Sequence, residues 1–194
     1  MKREFVFVST VLCLGGLWGC GSKEDAPATD AQPKPPAARL AVKTATDADA
    51  ATIDLRPKTT TVEEIAATKG GETVAGRTGP FETSTWEVEA TIRSVQLKKD
   101  GDYYMVVQGD KGGQAVVEVP DPAKCKGSPL EPQIAATRRE LEQKYHPTSE
   151  VKNVNDRATI DGVGFLGWGK NSKGAKGKSG ARLMPGTGVK FRNG

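Results

Sequence analysis

The chain has 194 residues, of which 36% are hydrophobic and 27% charged, and its formal net charge is +4. This length excludes a large multidomain enzyme, and three cysteines exclude a disulfide-dense scaffold. No Phe, Trp or Tyr occurs between Trp18 and Phe81. Because a stretch without aromatic residues rarely buries enough surface to form a core, the folded domain is expected over 81–194.

The N-terminus has the pattern of a secretory signal. Two basic residues precede an uncharged apolar run over 5–18, which is too short to cross about 30 Å of hydrocarbon comfortably. The run ends in the sequence Leu-Trp-Gly-Cys at 17–20, which resembles the lipobox of bacterial lipoproteins. The resemblance implies a signal peptide over 1–19, lipidation of Cys20 and attachment to a membrane through its acyl chains. An ordinary cleaved signal and an uncleaved anchor are the alternatives.

The residue after the lipobox-like cysteine and the remaining cysteines refine this expectation. Cys20 is followed by Gly21 rather than aspartate, which by resemblance to Gram-negative lipoprotein sorting implies the outer membrane. Cys13 leaves with the signal, so Cys125 is the remaining unmodified cysteine and the mature monomer has no internal disulfide. Cys125 is expected to be a small, partly buried apolar residue, with a nucleophile or an intermolecular bridge as alternatives.

Residues 20–80 are predicted to form a disordered tether between membrane and domain. They are rich in Ala, Pro, Thr and Asp, and such a segment buries too little apolar surface to offset its ordering entropy. A short helix at 61–69 is the local exception. Thr61 and Glu64 have the spacing of a capping box, and the apolar residues between and after them would dock that turn against the domain.

From about residue 82 the sequence alternates between apolar and polar residues, as half-buried strands do. The first strand runs to Leu97, and a slip of its apolar phase predicts a bulge near Ser94. Asp100-Gly101 predicts a hairpin turn. The other predicted elements are strands at 103–107, 114–119, 157–165 and about 182–191, and a helix that starts at Ser128-Pro129 and ends at His146-Pro147.

The resulting order over 81–194 is β-β-β-α-β-β, which is mainly β with one helix. It resembles the OB-fold, a five-stranded, partly open Greek-key barrel. An open five-stranded sheet capped by one helix is the alternative. Residues 86–90, 100–107, 117–122 and 162–165 also resemble an uncharacterised bacterial family of secreted or lipid-anchored OB-like domains. That resemblance implies the fold and an envelope location and supplies no substrate.

The sequence predicts no catalytic residue, no metal site and no cofactor. Residues 164–171 match the P-loop motif except at the last position, where Asn171 replaces the Ser or Thr that holds Mg²⁺. His146 is the single histidine, and together with one unlipidated cysteine it cannot complete a tetrahedral zinc site. A small hydrolase with an unrecognised site is the enzymatic alternative.

The remaining signal is positive charge near the C-terminus. Residues 157–194 contain eight Lys or Arg residues and one Asp, for a net charge of +7. In OB-folds, the loops between strands one and two and between strands four and five rim the ligand-binding face. A solvated, cationic loop without a ligand is the alternative. The candidate ligand-binding residues are Lys98, Lys99, Lys170, Lys173, Lys176, Lys178, Arg182 and Trp168.

These observations predict a non-enzymatic, lipid-anchored envelope protein whose OB-like domain acts as a binding or adaptor module. Its partners would be the membrane, through Cys20, and either a polyanion or another envelope protein. The polyanion alternative covers nucleic acid, lipopolysaccharide and acidic glycan, because basic loops beside aromatic rings combine charge with stacking.

Overall fold

A computed structural model describes residues 37–69, 75–167 and 180–192. These ranges form a mainly β fold with a six-stranded mixed sheet. None of their helices is long and apolar enough to cross a membrane. The helices are α1 (Ala37–Thr44), α2 (Val62–Ala67) and α3 (Glu131–Tyr145), and the strands are β1 (Asp54–Thr60), β2 (Ser84–Leu97), β3 (Tyr103–Gln108), β4 (Gln114–Val119), β5 (Lys152–Leu166) and β6 (Ala181–Phe191).

The strands follow the order β1-β2-β3-β4-β6-β5, and β2 also pairs with β5. Neighbours are antiparallel except at two places: β1 runs parallel to β2, and β4 meets β6 in parallel at Val117 and Leu183. The register of β2 shifts between Ile92 and Ser94 against both β3 and β5. This bulge bends the strand, which pairs with β5 over Thr85–Val95 and with β3 over Thr91–Leu97.

The strands predicted from alternation and the turn predicted from Asp100-Gly101 are confirmed. The order β2-β3-β4-α3-β5-β6 is the predicted β-β-β-α-β-β, and the bulge lies where the apolar phase slips. Gly101 has a φ of +87°, a conformation that few other residues adopt without strain, which explains the Asp-Gly pair in the turn between β2 and β3. β5, the fourth predicted strand, begins earlier than expected. Its first residues are polar and exposed, so no apolar alternation marks them in the sequence.

One face of α3 closes the core, as its spacing predicted, with Ile134, Leu141 and Tyr145 buried. The predicted start at Ser128-Pro129 was wrong. The helix begins at Glu131, because Ser128 forms a turn in which its hydroxyl accepts a hydrogen bond from the Leu130 amide at 3.1 Å.

The part of the tether that the structure describes before residue 70 is folded, which corrects the prediction of disorder there. α1 and a 3₁₀ turn at Ala48–Thr52 precede β1, which pairs with β2. The expected short helix is present as α2, with both hydrogen bonds of the Thr61 and Glu64 capping box. Residues 20–36 and 70–74 of the predicted tether lie outside the described residues.

α1 is held against the outward side of the sheet by both apolar and charged contacts. Val42 packs with Phe165 of β5 and Met184 of β6, and all three are fully buried. Arg39 is 1% exposed and pairs with the fully buried Glu82 at 2.5 Å. The buried face of this helix therefore includes two long cationic side chains, Arg39 and Lys43, which a sequence pattern normally assigns to solvent.

Candidate functional site

A pocket of about 670 Å³ lies on the outward side of β3, β4 and β6, next to the 98–102 loop that joins β2 to β3. The core residues Tyr103, Val117 and Leu183 point inward. Since side chains alternate along a strand, their neighbours in sequence point the other way. We call this site the β3–β4 pocket; its charged and aromatic residues are Lys43, Lys98, Lys99, Tyr104, Glu118 and Arg182.

The structure brings three of the predicted ligand-binding residues together. Lys98 and Lys99 come from the 98–102 loop, and Arg182 comes from the start of β6, yet all three line the β3–β4 pocket. The aromatic side chain of Tyr104 lines it as well. The other predicted residues, Trp168, Lys170, Lys173, Lys176 and Lys178, lie outside the described residues.

Arg182 forms the floor of the pocket rather than its rim. It is 7% exposed, and its Nη1 donates to Glu118 Oε1 at 2.5 Å. Its Nε is buried and has no hydrogen-bond partner among the residues that the structure describes. A buried donor without a partner costs free energy, so a ligand oxygen that reached this nitrogen would gain a hydrogen bond that the free protein lacks.

Lys43 of α1 is the functional-site residue that the sequence did not indicate. Its ammonium group lies 2.5 Å from Asp102 Oδ2 and 3.4 Å from Glu118 Oε2. It also donates to Asp100 Oδ2 at 2.9 Å. Burial lowers the pKa of Lys43, but the nearby carboxylates outweigh that effect and raise the pKa above its ordinary value. Lys43 therefore stays charged and ties α1 to the 98–102 loop and β4.

The acidic residues of the 98–102 loop are the one sequence feature that indicated the ion-pair network around Lys43. Turn formation explains Asp100 but gives no reason for Asp102, which is fully buried. Burial raises the pKa of Asp100, while the hydrogen bond and the positive charge of Lys43 lower it, and the net direction is down. Asp100 is therefore ionised at neutral pH, and its charge is matched by Lys43.

Tyr104 forms an aromatic wall of the pocket, and its ring is already in contact with a cation. Lys98 Nζ lies 4.4 Å from the ring centroid and donates to Gln96 Oε1 at 3.1 Å. Burial raises the pKa of the Tyr104 hydroxyl, so the side chain is neutral at physiological pH. A ligand that stacks on this ring must displace the Lys98 ammonium group, whereas an anionic ligand can bind it in place.

A second, more apolar pocket of about 390 Å³ adjoins the first on the other side of the Lys43–Asp100 ion pair. We call it the α1 pocket; Leu40, Ala41, Lys43, Asp100, Asp102 and Lys124 line it. Leu40 is 40% exposed there. The two pockets share Lys43 and Asp100, so α1 contributes to both.

Cys125 behaves as the sequence predicted for a small apolar residue. Its side chain is free and fully buried in the core. Burial, together with the nearby carboxylate of Asp102, raises the pKa of the thiol to about 11. Since the thiolate is the reactive form, Cys125 is a poor nucleophile at neutral pH.

A separate pair of carboxylates, Glu87 and Asp161, faces across β2 and β5. Burial raises the pKa of Asp161, the charge of Glu87 raises it further, and Lys190 lowers it. One oxygen of Asp161 is buried and has no hydrogen-bond partner in the described part of the chain. Within the part of the chain that the structure describes, no group of three or more His, Cys, Asp or Glu residues is placed to hold a metal ion.

Asp161→Asn should raise the free energy of unfolding at pH 7. The folded protein binds the Asp161 proton more tightly than the unfolded chain, so wild-type stability rises as pH falls through the folded pKa. The advantage of Asp161→Asn should therefore shrink as pH falls and be lost below about pH 4, near the unfolded value. Urea denaturation at both pH values measures this.

The matched control is Asp110→Asn. The hydrogen bond and charge of Arg157 lower the pKa of Asp110, so this substitution should reduce stability at neutral pH. Equal losses for Asp161→Asn and Asp110→Asn at pH 7 would contradict the assignment of unfavourable charge to Asp161.

Comparisons with protein-family models, with curated proteins and with solved structures find no match for this chain.

Proposed function

We propose that this protein is a lipid-anchored envelope protein whose OB-like domain is a non-enzymatic binding module. The lipobox-like sequence at 17–20 and the basic, apolar start before it support lipidation at Cys20. We place the protein at the outer membrane of a Gram-negative bacterium and assign its domain to the uncharacterised OB-like family. Fatty-acid labelling of the whole chain tests the anchor: Cys20→Ser should abolish the label, and a label that survives would disprove lipidation there.

The strand pairing supports an OB-like barrel over an open sheet. In a five-stranded Greek-key barrel, the first strand must pair with both the second and the fourth strand. Here β2 pairs with both β3 and β5, over ten aligned residue pairs in the second case. β6 then lies between β4 and β5, which is the position the fifth strand of such a barrel takes.

The observation that carries the binding function is the convergence of residues on the β3–β4 pocket. OB-folds bind ligands on the face of their second and third strands and with the adjoining loops. Lys98 and Lys99 are adjacent in sequence, and Arg182 lies 83 positions after Lys99, yet all three meet on the corresponding face, beside Tyr104. A pocket of about 670 Å³ is also within the range of small-molecule and oligomer-end binding sites.

The charge of this face favours an anionic ligand, which makes a polyanion the second candidate. The inner residues are balanced: Lys43, Lys124 and Arg182 contact the carboxylates of Asp100, Asp102 and Glu118. The two rim lysines, Lys98 and Lys99, have no ion pair with a carboxylate among the described residues. The face is therefore left with a net charge of about +2, which attracts anions.

Heparin binding by the mature chain tests this proposal. We expect binding at low ionic strength that weakens by about tenfold between roughly 50 and 200 mM salt, because a few ion contacts are lost. Lys98→Glu/Lys99→Glu should remove most of it. The control is Lys69→Glu/Lys111→Glu, which makes the same change in charge on two exposed lysines, one after α2 and one in the turn after β3, and should leave binding within about twofold. Equal losses in both variants would show nonspecific attraction and contradict a site at the β3–β4 pocket.

A further inference from the structure

The chain enters the folded domain beside the candidate site. α1 begins at Ala37, and its residues Leu40, Ala41 and Lys43 line the two pockets. At 1.5 Å per helical residue, Ala37 is about 9 Å along the helix axis from Lys43. The covalent path from Cys20 to the domain therefore ends within about one short helix of the β3–β4 pocket.

The path itself is short. Ala37 is 17 positions after Cys20. Whatever their arrangement, these residues span at most about 60 Å. The sequence had placed the domain boundary near residue 81, some 60 positions from the anchor, which would have left the orientation of the domain open. With α1 folded onto the domain, the anchored segment instead joins the domain on the side that carries α1.

We propose that the β3–β4 pocket face rests on the anionic lipid headgroups of the membrane that holds Cys20. This inference rests on the proposed lipidation and on the proposed binding role of the same pocket, and it names the partner of that site. Lys98 and Lys99 contact headgroup phosphates, while the exposed Leu40 of α1 lies at the polar–apolar boundary of the same surface.

The charges on this face fit such a partner. Lys43 and Arg182 form ion pairs with Asp102 and Glu118 beneath the surface. These ion pairs reduce the repulsion between the two carboxylates and headgroup phosphates. Lys99 is exposed, and Lys98 needs only to turn away from Tyr104. Basic residues near a membrane surface are attracted by anionic lipids over about one Debye length.

Two lysines by themselves bind a membrane weakly, but the anchor at Cys20 raises the fraction of protein whose lysines contact the membrane. A tether converts the contact into an intramolecular event with an effective concentration in about the millimolar range. A face that would bind too weakly in solution is then occupied most of the time. The experiment must therefore use the tethered protein.

The mature chain from residue 20 is coupled through Cys20 to a maleimide lipid in preformed vesicles. Coupling is selective because Cys125 is fully buried and its pKa is raised to about 11. One vesicle set is phosphatidylcholine alone, and the other contains about 30% phosphatidylglycerol. Acetylation of each lysine by a water-soluble reagent is then followed by mass spectrometry.

Lys98 and Lys99 should be acetylated at least about threefold more slowly on the anionic vesicles than on the neutral ones. The difference should vanish at about 0.5 M salt. Lys69 and Lys111 are the internal controls. Both are exposed: Lys111 lies in the 109–113 turn after β3, and Lys69 follows α2, whose Glu63 accepts hydrogen bonds from that turn. Their rates should not change.

Three results separate this inference from the proposed function. Equal rates for Lys98 and Lys99 on both vesicle sets, with heparin binding intact, would overturn the membrane contact and leave the binding module standing. Protection of Lys69 and Lys111 instead would mean that the opposite end meets the membrane, which also overturns it. Loss of both vesicle protection and heparin binding would remove the proposed site altogether.

Discussion

Arg39→Ala should lower the free energy of unfolding by about 3–5 kcal/mol, because it leaves a buried carboxylate without its counterion. Arg39 and Glu82 are both buried and lie 2.5 Å apart. The same guanidinium donates to the Leu166 carbonyl at 2.5 Å and lies 4.4 Å from the Phe165 ring centroid. Urea denaturation followed by circular dichroism measures the loss.

Glu82 explains why the effect should be large. Its carboxylate also accepts hydrogen bonds from the Thr78 and Leu166 amides, both at 2.7 Å. Removing Arg39 therefore uncouples α1 from two other segments at once. If Arg39→Ala does not fold, Arg39→Lys provides a measurable variant. It keeps the positive charge but loses the bidentate contact with Glu82, so its free energy of unfolding should fall by a smaller amount.

The control is Arg56→Ala, which removes the same side chain from an exposed ion pair. Arg56 has 91% of its side chain exposed and pairs with Asp54 at 3.1 Å. Exposed pairs contribute little, because water screens them and both side chains lose freedom. Equal destabilisation by Arg39→Ala and Arg56→Ala would show that the Arg39–Glu82 pair is not a main stabilising contact.

Burial of charged side chains such as Arg39 also decides which elements the sequence could predict. β2 to β6 and α3 were predictable because apolar residues recur at periods of two or of three to four along them. α1 was not, because its buried face contains Arg39 and Lys43, and a pattern method assigns such residues to solvent. Their acidic partners, Glu82 and Asp102, lie 43 and 59 positions away, and nothing in the local pattern joins them.

The candidate site divides in the same way. Lys98, Lys99 and Arg182 were predicted because a fold resemblance identified which loops and strands meet at one face. Lys43 reaches that face from a segment that the resemblance did not include. The role of Arg182 also needed the structure, because its burial and its contact with Glu118 depend on the β4–β6 pairing.

A chain that begins at residue 80, near the boundary the sequence indicated, should fail to unfold cooperatively, whereas a chain that begins at residue 32 should behave like the mature protein. The shorter chain lacks four large buried apolar side chains, Val42, Ile53, Val62 and Ile65. Burial of each contributes about 1.5–3 kcal/mol. Their sum is on the order of 6–12 kcal/mol, which is comparable with the net stability of a whole domain.

The shorter chain also loses ion pairs and backbone hydrogen bonds. Without the N-terminal segment, the buried carboxylates of Glu82 and Asp102 lose Arg39 and Lys43, and the edge of β2 loses its parallel partner β1. Unpaired buried charges and strand edges oppose folding and promote association. Urea unfolding and size-exclusion chromatography of the two chains measure this. A cooperative transition in the 80–194 chain at the same midpoint as in the 32–194 chain would show that α1, β1 and α2 are accessory to the fold, and would return the domain boundary to residue 81.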